Sequence, residues 1–182
     1  MPINQNCLIE NGYPLGCVQT GGIESVWIGT YSSDFVFTLD ADNIITDVAS
    51  GTPTVYKFDQ DIESASLVQN GVFSRENLTT YLESVLIIKL FGWTPELRNT
   101  YNALVKAPLI AVVKMNTGTE LVYLGLESAG RATEGVLQAG QLLGDMNGAT
   151  LTFTWKSANG GYMLDPAVLG DPDGIIIGNT VS

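Results

Sequence analysis

Histidine is absent from this chain of 182 residues, and that absence excludes more chemistry than any residue present suggests. Without imidazole there is no Ser–His–Asp or Cys–His nucleophile, and the usual zinc and iron sites lose their commonest ligand. Cysteine is nearly as scarce, with only Cys7 and Cys17. The two could close a disulfide loop, and a two-cysteine zinc site without histidine would need ligands from another chain. With no secretion signal, a pair of reduced thiols near a terminus is the favoured reading. Bases are few: 8 Lys and Arg against 19 Asp and Glu leave a net charge of −11. Nucleic-acid affinity rests largely on Lys and Arg neutralising phosphates, so duplex binding is not expected. No stretch reaches the roughly 20 apolar residues of a membrane span; the longest, Val85 to Trp93, is broken by Lys89. The N-terminus MPINQNCLIENG has neither a basic start nor a long apolar run. The expectation is no signal peptide, no membrane partner, and synthesis in a reducing cytoplasm.

What the chain does have is apolar content, 45% hydrophobic with only 15% charged residues, ample for one domain with a substantial core. Its 20 glycines and 7 prolines are scattered rather than clustered. They punctuate short elements, as in a β-dominated fold with many turns. No internal repeat or low-complexity segment stands out.

Residues 1–22 hold Pro2, Gly12, Pro14, Gly16, Gly21 and Gly22 among Asn and Gln, and are expected to form an N-terminal arm. In Ile23 to Tyr31, Ile23, Ser25, Trp27 and Gly29 alternate with Val26 and Ile28. Both faces are partly apolar, which predicts a central strand. Phe35 to Leu39, Asn43 to Ala49 and Thr54 to Phe58 read as further short strands. Asp61 to Phe73 predicts a strand ending at Asn70-Gly71. Leu78 to Phe91 is ambiguous: a helix would align Leu78, Leu82, Val85 and Leu86 but is spoiled by Lys89. A strand would align Leu82, Ser84, Leu86, Ile88 and Leu90, and the Val-Leu-Ile-Ile run favours it. Thr94 as N-cap, Pro95 at the first helical position, Glu96 early and Lys106 late predict a helix over 94–107. Its apolar stripe is Leu97, Tyr101, Leu104 and Val105, and Pro108 stops it. Leu109 to Met115 and Glu120 to Leu126 form a hairpin about Asn116-Thr117-Gly118. Arg131 to Gln138 is another strand. After the turn Gly144 to Gly148, Ala149, Leu151, Phe153 and Trp155 face inward against Thr150, Thr152, Thr154 and Lys156. Asp165 to Ser182 predicts an extended arm.

Candidate sites are thin. Asp40, Asp42 and Asn43, and again Asp171 and Asp173, resemble the start of a calcium loop. Neither has the glycine at the sixth position and the glutamate at the twelfth, so turn acids explain both. Gly140 to Gly148 lacks a GK[ST] and a nearby lysine, and reads as a hairpin turn rather than a phosphate cradle. Nothing in the sequence brings two carboxylates together for acid–base work. Trp27, Trp93 and Trp155 lie on apolar patterns that suit core or interface. No catalytic, cofactor-binding or metal residue is predicted, and no cofactor.

The order of these features resembles the tail-tube-like structural proteins of bacteriophages, especially virion proteins of phages infecting Bacteroidetes hosts. The resemblance spans roughly residues 16–156. It runs from Gly16-Cys17 and Gly21-Gly22-Ile23 into ESVWIGTY, then through the Leu82–Leu90 strand and TPELRNTYNALVKA. The hairpin LIAVVKMNTGTELVYLG and the strand GDMNGATLTFTW complete it. It implies a β-sandwich or barrel with one flanking helix, assembled into a ring that stacks or joins other virion proteins. The expected organisation is an arm over 1–22, a β-sandwich domain over 23–160 and an arm over 161–182. The expected function is a non-enzymatic virion subunit of the tail tube or head–tail connector, assembled in the bacterial host cytoplasm. Its expected partners are itself and neighbouring virion proteins, with DNA passing an acidic lumen unheld. The alternative is a capsid-decorating or surface-binding β-sandwich module for protein or carbohydrate.

Overall fold

A computed structural model describes residues 21–178 apart from 62, 117 and 173. The expected N-terminal arm, with Cys7 and Cys17, lies almost wholly outside the described residues. Along the chain run β1 (Ile23–Thr30), β2 (Val36–Leu39), β3 (Ile45–Ser50), β4 (Thr54–Asp59), β5 (Ser66–Ser74) and β6 (Thr79–Phe91). Then come α1 (Pro95–Lys106), β7 (Leu109–Met115), β8 (Leu121–Leu124), β9 (Arg131–Gln138), β10 (Gly148–Ser157), β11 (Tyr162–Leu164) and β12 (Ile176–Ile177). The fold is mainly β, a sandwich of two sheets with one flanking helix, as the sequence predicts.

The larger sheet has eight strands in the order β12-β4-β1-β7-β8-β11-β3-β2, the smaller four in the order β5-β6-β10-β9. β1 lies between β4 and β7, which explains its two apolar faces. Val26 and Ile28 join Ala111 and Val113 of β7 and Leu86, Ile88, Leu151, Phe153 and Trp155 of the smaller sheet in the core between the sheets. Trp27 turns the other way, into a second core with Ile45, Val55, Val112, Tyr123 and Leu164. Every strand in that second core belongs to the larger sheet, so the sheet curls around it. Phe37 of β2 meets Tyr123 of β8 at 4.8 Å between ring centroids although two strands lie between them in the sheet. A register shift between Ile23 and Ser25 moves Ile23 into the inter-sheet core, where simple alternation would place it beside Trp27. Such a bulge turns one residue to the opposite face.

The helix forms as its caps dictate. Thr94 Oγ1 accepts the Leu97 N–H at 3.1 Å, with Pro95 in the first turn. Leu104 is buried in the inter-sheet core, and Tyr101 packs against it. Val105, expected on the same stripe, is exposed; at 100° further round the helix from Leu104 it falls off the buried arc. The ambiguous segment is a strand, and its predicted facing holds: Leu86, Ile88 and Leu90 point into the core.

Two expectations are corrected. β5 does not end at Asn70-Gly71. It continues to Ser74, paired with β6 through Gly71↔Leu82 and Ser74↔Thr79. The Phe73 ring covers Gly71, where a Cβ would lie 2.8 Å from it, so the glycine serves inside a strand instead of a turn. The C-terminal segment, expected as an arm from 161, is woven into the larger sheet as far as Gly178. β11 pairs with β8 and β3, and β12 runs parallel to β4. Ile175 and Val168 are buried there, and burying them is what holds a glycine-rich segment against the sheet.

Candidate assembly surface

The edges of the two sheets differ in kind. The larger sheet ends on β12, with two residues, and on β2, with four, and β2 is broken by two register shifts. Short, bulged edges do not template further pairing. The smaller sheet ends on β5, with nine residues, and β9, with eight, each paired on one side only. β5 (SLVQNGVFS) contains no charge and no proline, the devices that protect an open edge. Val68 in it is half exposed. β9 carries Arg131, Glu134 and a bulge opposite Thr152 and Phe153.

Direction matters as much as length. β5 is antiparallel to β6, β6 to β10, and β10 to β9, so β5 and β9 run opposite ways. A second copy rotated about an axis along the strands keeps its strand directions. It therefore sets its β5 antiparallel beside the first copy's β9, and the pattern repeats without a break.

The outward face of the smaller sheet carries Tyr81, Val85 and Ile87 of β6 with Thr150, Thr152 and Thr154 of β10, all half-buried. Its charges are Glu83 and Glu134 against Lys89, Arg131 and Lys156. Lys156 bridges Glu83 at 3.5 Å and lies over the Tyr81 ring. The acid excess of the chain is therefore not on this face. Near its ends this sheet exposes Phe73 of β5 and Leu78 of the β5–β6 turn at one side, and Leu142 and Leu143 of the β9–β10 loop at the other. The Asp145 carboxylate accepts the N–H groups of Gln141 and Leu142, each at 2.8 Å. Those backbone donors hold its pKa below the usual carboxylate range.

A cleft of about 880 Å³ opens between α1, β1, β4 and the end of β6. Its floor includes Ile28, Phe58, Leu90, Leu97 and Leu104, and Asp59 and Glu96 are among its acids. Asp59 is paired with Lys57 at 2.8 Å.

Asp40 is engaged in its own turn, its carboxylate accepting the N–H groups of Asp42 and Ile44 at 2.9 Å each. Asp171 sits in the turn before Ile175, its carbonyl accepting the Gly174 N–H at 3.0 Å; Asp173 lies outside the described residues. Among the described residues no three acids or thiols converge to hold a metal ion. Gly140 to Gly148 is the β9–β10 hairpin loop. Trp155 is core, donating to the Leu109 carbonyl at 3.0 Å; Trp27 is core and Trp93 is exposed.

One polar cluster escaped sequence reasoning. Glu127 accepts hydrogen bonds from the Tyr162 hydroxyl at 2.8 Å, Asn159 Nδ2 at 2.7 Å and the Ala158 N–H at 2.6 Å. Partial burial opposes its charge, but these donors outweigh it and hold its pKa below the ordinary value. Burial and the bond to Glu127 push Tyr162 up to about 12. The partners are over thirty residues apart, so no local pattern announces them; their work is to clamp the loop after β8 to the loop after β10. Comparison with known proteins finds no protein family, no curated protein and no solved structure that matches this chain.

Proposed function

We propose that this chain is a non-enzymatic structural subunit of a bacteriophage virion, forming homo-oligomeric rings in the tail tube or head–tail connector. The observation that supports this reading most directly is the pair of open edges on the smaller sheet. They are long, unprotected on the β5 side, and opposed in direction, so copies related by rotation continue one antiparallel sheet. An open uncharged strand in a monomer is an aggregation hazard. A head-to-tail interface whose rotation closes removes it, as barrels remove all edges. The resemblance over residues 16–156 adds the setting. In such a ring the larger sheet, as the bulkier layer, lies outside, and the outward face of the smaller sheet lines the lumen. That wall is nearly charge-balanced, not acidic as the net charge alone suggests. With Lys156 engaged by Glu83, it offers DNA few free cations to grip.

Native particles test the reading. Mass spectrometry and electron microscopy of purified virions are expected to find this chain in rings at the tail or head–tail junction. Its absence from particles, or its presence only as isolated single copies, overturns the proposal. A capsid-decorating or surface-binding module is the competing outcome, marked by single copies on the capsid surface.

A further inference from the structure

We infer that residues 179–182 continue β12 along the open half of β4, so that the chain covers this edge of its larger sheet itself. The inference is independent of the ring reading, because it concerns an edge that the ring leaves unused. β4 runs to Asp59 but β12 only to Ile177. Their register, Ile176↔Thr54 and Ile177↔Val55, leaves the second half of β4 without a strand on that side among the described residues. The hydrogen bonds fix which groups are left over. Ile176 N–H goes to the Pro53 carbonyl and Gly178 N–H to the Val55 carbonyl, each at 2.8 Å. Alternate residues of a strand turn their backbone groups to the same side. Lys57 N–H and C=O and Asp59 N–H therefore face the same edge as Val55 does, past the end of β12. The Asp59 carbonyl is met by Gln60 Nε2 at 3.0 Å. Gln60 Oε1 in turn accepts the Lys89 N–H at 3.0 Å, which anchors the end of β4 against β6.

Where the chain leaves the described residues decides what covers this edge. Gly178 already holds the next step of the register, opposite Tyr56. It lies against the Tyr56 ring, which a Cβ at this position would run into. Residues 179–182, Asn-Thr-Val-Ser, lie outside the described residues. They contain no proline, so every N–H can pair, and no charged side chain. The same register sets Asn179 opposite Lys57, Thr180 opposite Phe58 and Val181 opposite Asp59. Lys57 N–H then meets the Gly178 carbonyl, Thr180 N–H the Lys57 carbonyl, and Asp59 N–H the Thr180 carbonyl. Opposed residues share a face, so Thr180 lies beside Phe58, at the β4 side of the cleft of about 880 Å³. A strand from another molecule has to displace this continuation to reach the same groups.

The test places cysteine pairs in full-length protein carrying Cys7→Ser and Cys17→Ser: Lys57→Cys with Asn179→Cys, and Lys57→Cys with Thr180→Cys. Opposed residues on paired strands stand about 4.8 Å apart, within the Cα range of a disulfide, whereas neighbours in sequence point to opposite faces. After mild oxidation with diamide, the first pair is expected to give an internally cross-linked monomer. It runs ahead of the open chain on a non-reducing gel and reverts on reduction. The second pair is expected to stay open. No cross-link in the first pair, or equal cross-linking in both, overturns the inference. Cross-linked dimers overturn it too, since the edge is then covered by a second copy. Deuterium exchange of the chain shortened after Gly178 gives a second readout. The Lys57 and Asp59 amides are expected to exchange at least about 10-fold faster than in the full chain, as donors released from a ladder do. Equal exchange in the two chains shows that these residues do not cover β4 and overturns the inference. Neither readout depends on whether rings form.

Discussion

Two polar atoms among the described residues are buried without a hydrogen-bond partner, the Trp27 Nε1 and the Tyr123 hydroxyl. Both lie in the core that the larger sheet curls around. Burial drives the Tyr123 pKa far above its ordinary value, so the group stays neutral and its cost is desolvation. An unpaired buried hydroxyl costs about 1–3 kcal/mol. Tyr123→Phe keeps the ring against Phe37 and removes that cost, so the melting temperature should hold or rise. A loss above about 1 kcal/mol in chemical denaturation would mean the hydroxyl has a partner. Glu127 behaves oppositely. Its folded pKa lies below the ordinary 4.5, so folding favours the charged form. Its contribution is complete above that value and is lost as pH falls through the folded pKa. The urea midpoint of wild type should exceed that of Glu127→Gln at pH 7, and the gap should close in acid below pH 4.5. A gap constant with pH rules the carboxylate out as its source.

Among the elements, α1 depends on one residue more than on its caps. Leu104 is the helix residue buried in the inter-sheet core, and the helix sits beside β9 with the Tyr101 hydroxyl close against Gly135. Leu104→Ala should cost roughly 2–5 kcal/mol, the range for buried leucines. Val105→Ala, on the exposed side, should stay within about 0.5 kcal/mol. Equal losses from the two, read in urea denaturation, would show that the helix is turned differently. β5 illustrates the reverse balance. Asn70-Gly71 is turn chemistry in sequence, but nine consecutive pairs with β6 outweigh that local preference, and the Phe73 ring supplies the surface the glycine lacks.

For the whole molecule the free β5 edge decides the assembly prediction. In a strand, neighbouring residues send their N–H groups to opposite sides. Of Gln69 and Asn70, one therefore serves β6 and the other faces the open edge. Proline at the first position breaks the internal ladder and lowers stability; at the second it spares the fold and removes an edge donor. Gln69→Pro and Asn70→Pro should therefore split, one less stable in denaturation and the other stable but monomeric in sedimentation. If the stable variant forms rings as wild type does, β5 is not the joint.

Much of this protein was legible in one dimension, because alternation and capping are local. The strand β10 with Leu151, Phe153 and Trp155 inward, the β7–β8 hairpin and the Thr94-Pro95 helix start depend on neighbours in sequence. The two apolar faces of β1 announced a central strand for the same reason. Which sheet each strand joins was not legible, since pairing depends on partners far away, and so neither was the contrast between blunt and open edges. β5 shows no charge and no proline in its sequence, yet only the topology makes it an edge. The bulge that turns Ile23 inward, the Glu127 clamp and the capture of Ile175 by the curled sheet are likewise decided by tertiary contact. Each is a long-range pairing whose energy outweighs the preference of the segment that takes part in it.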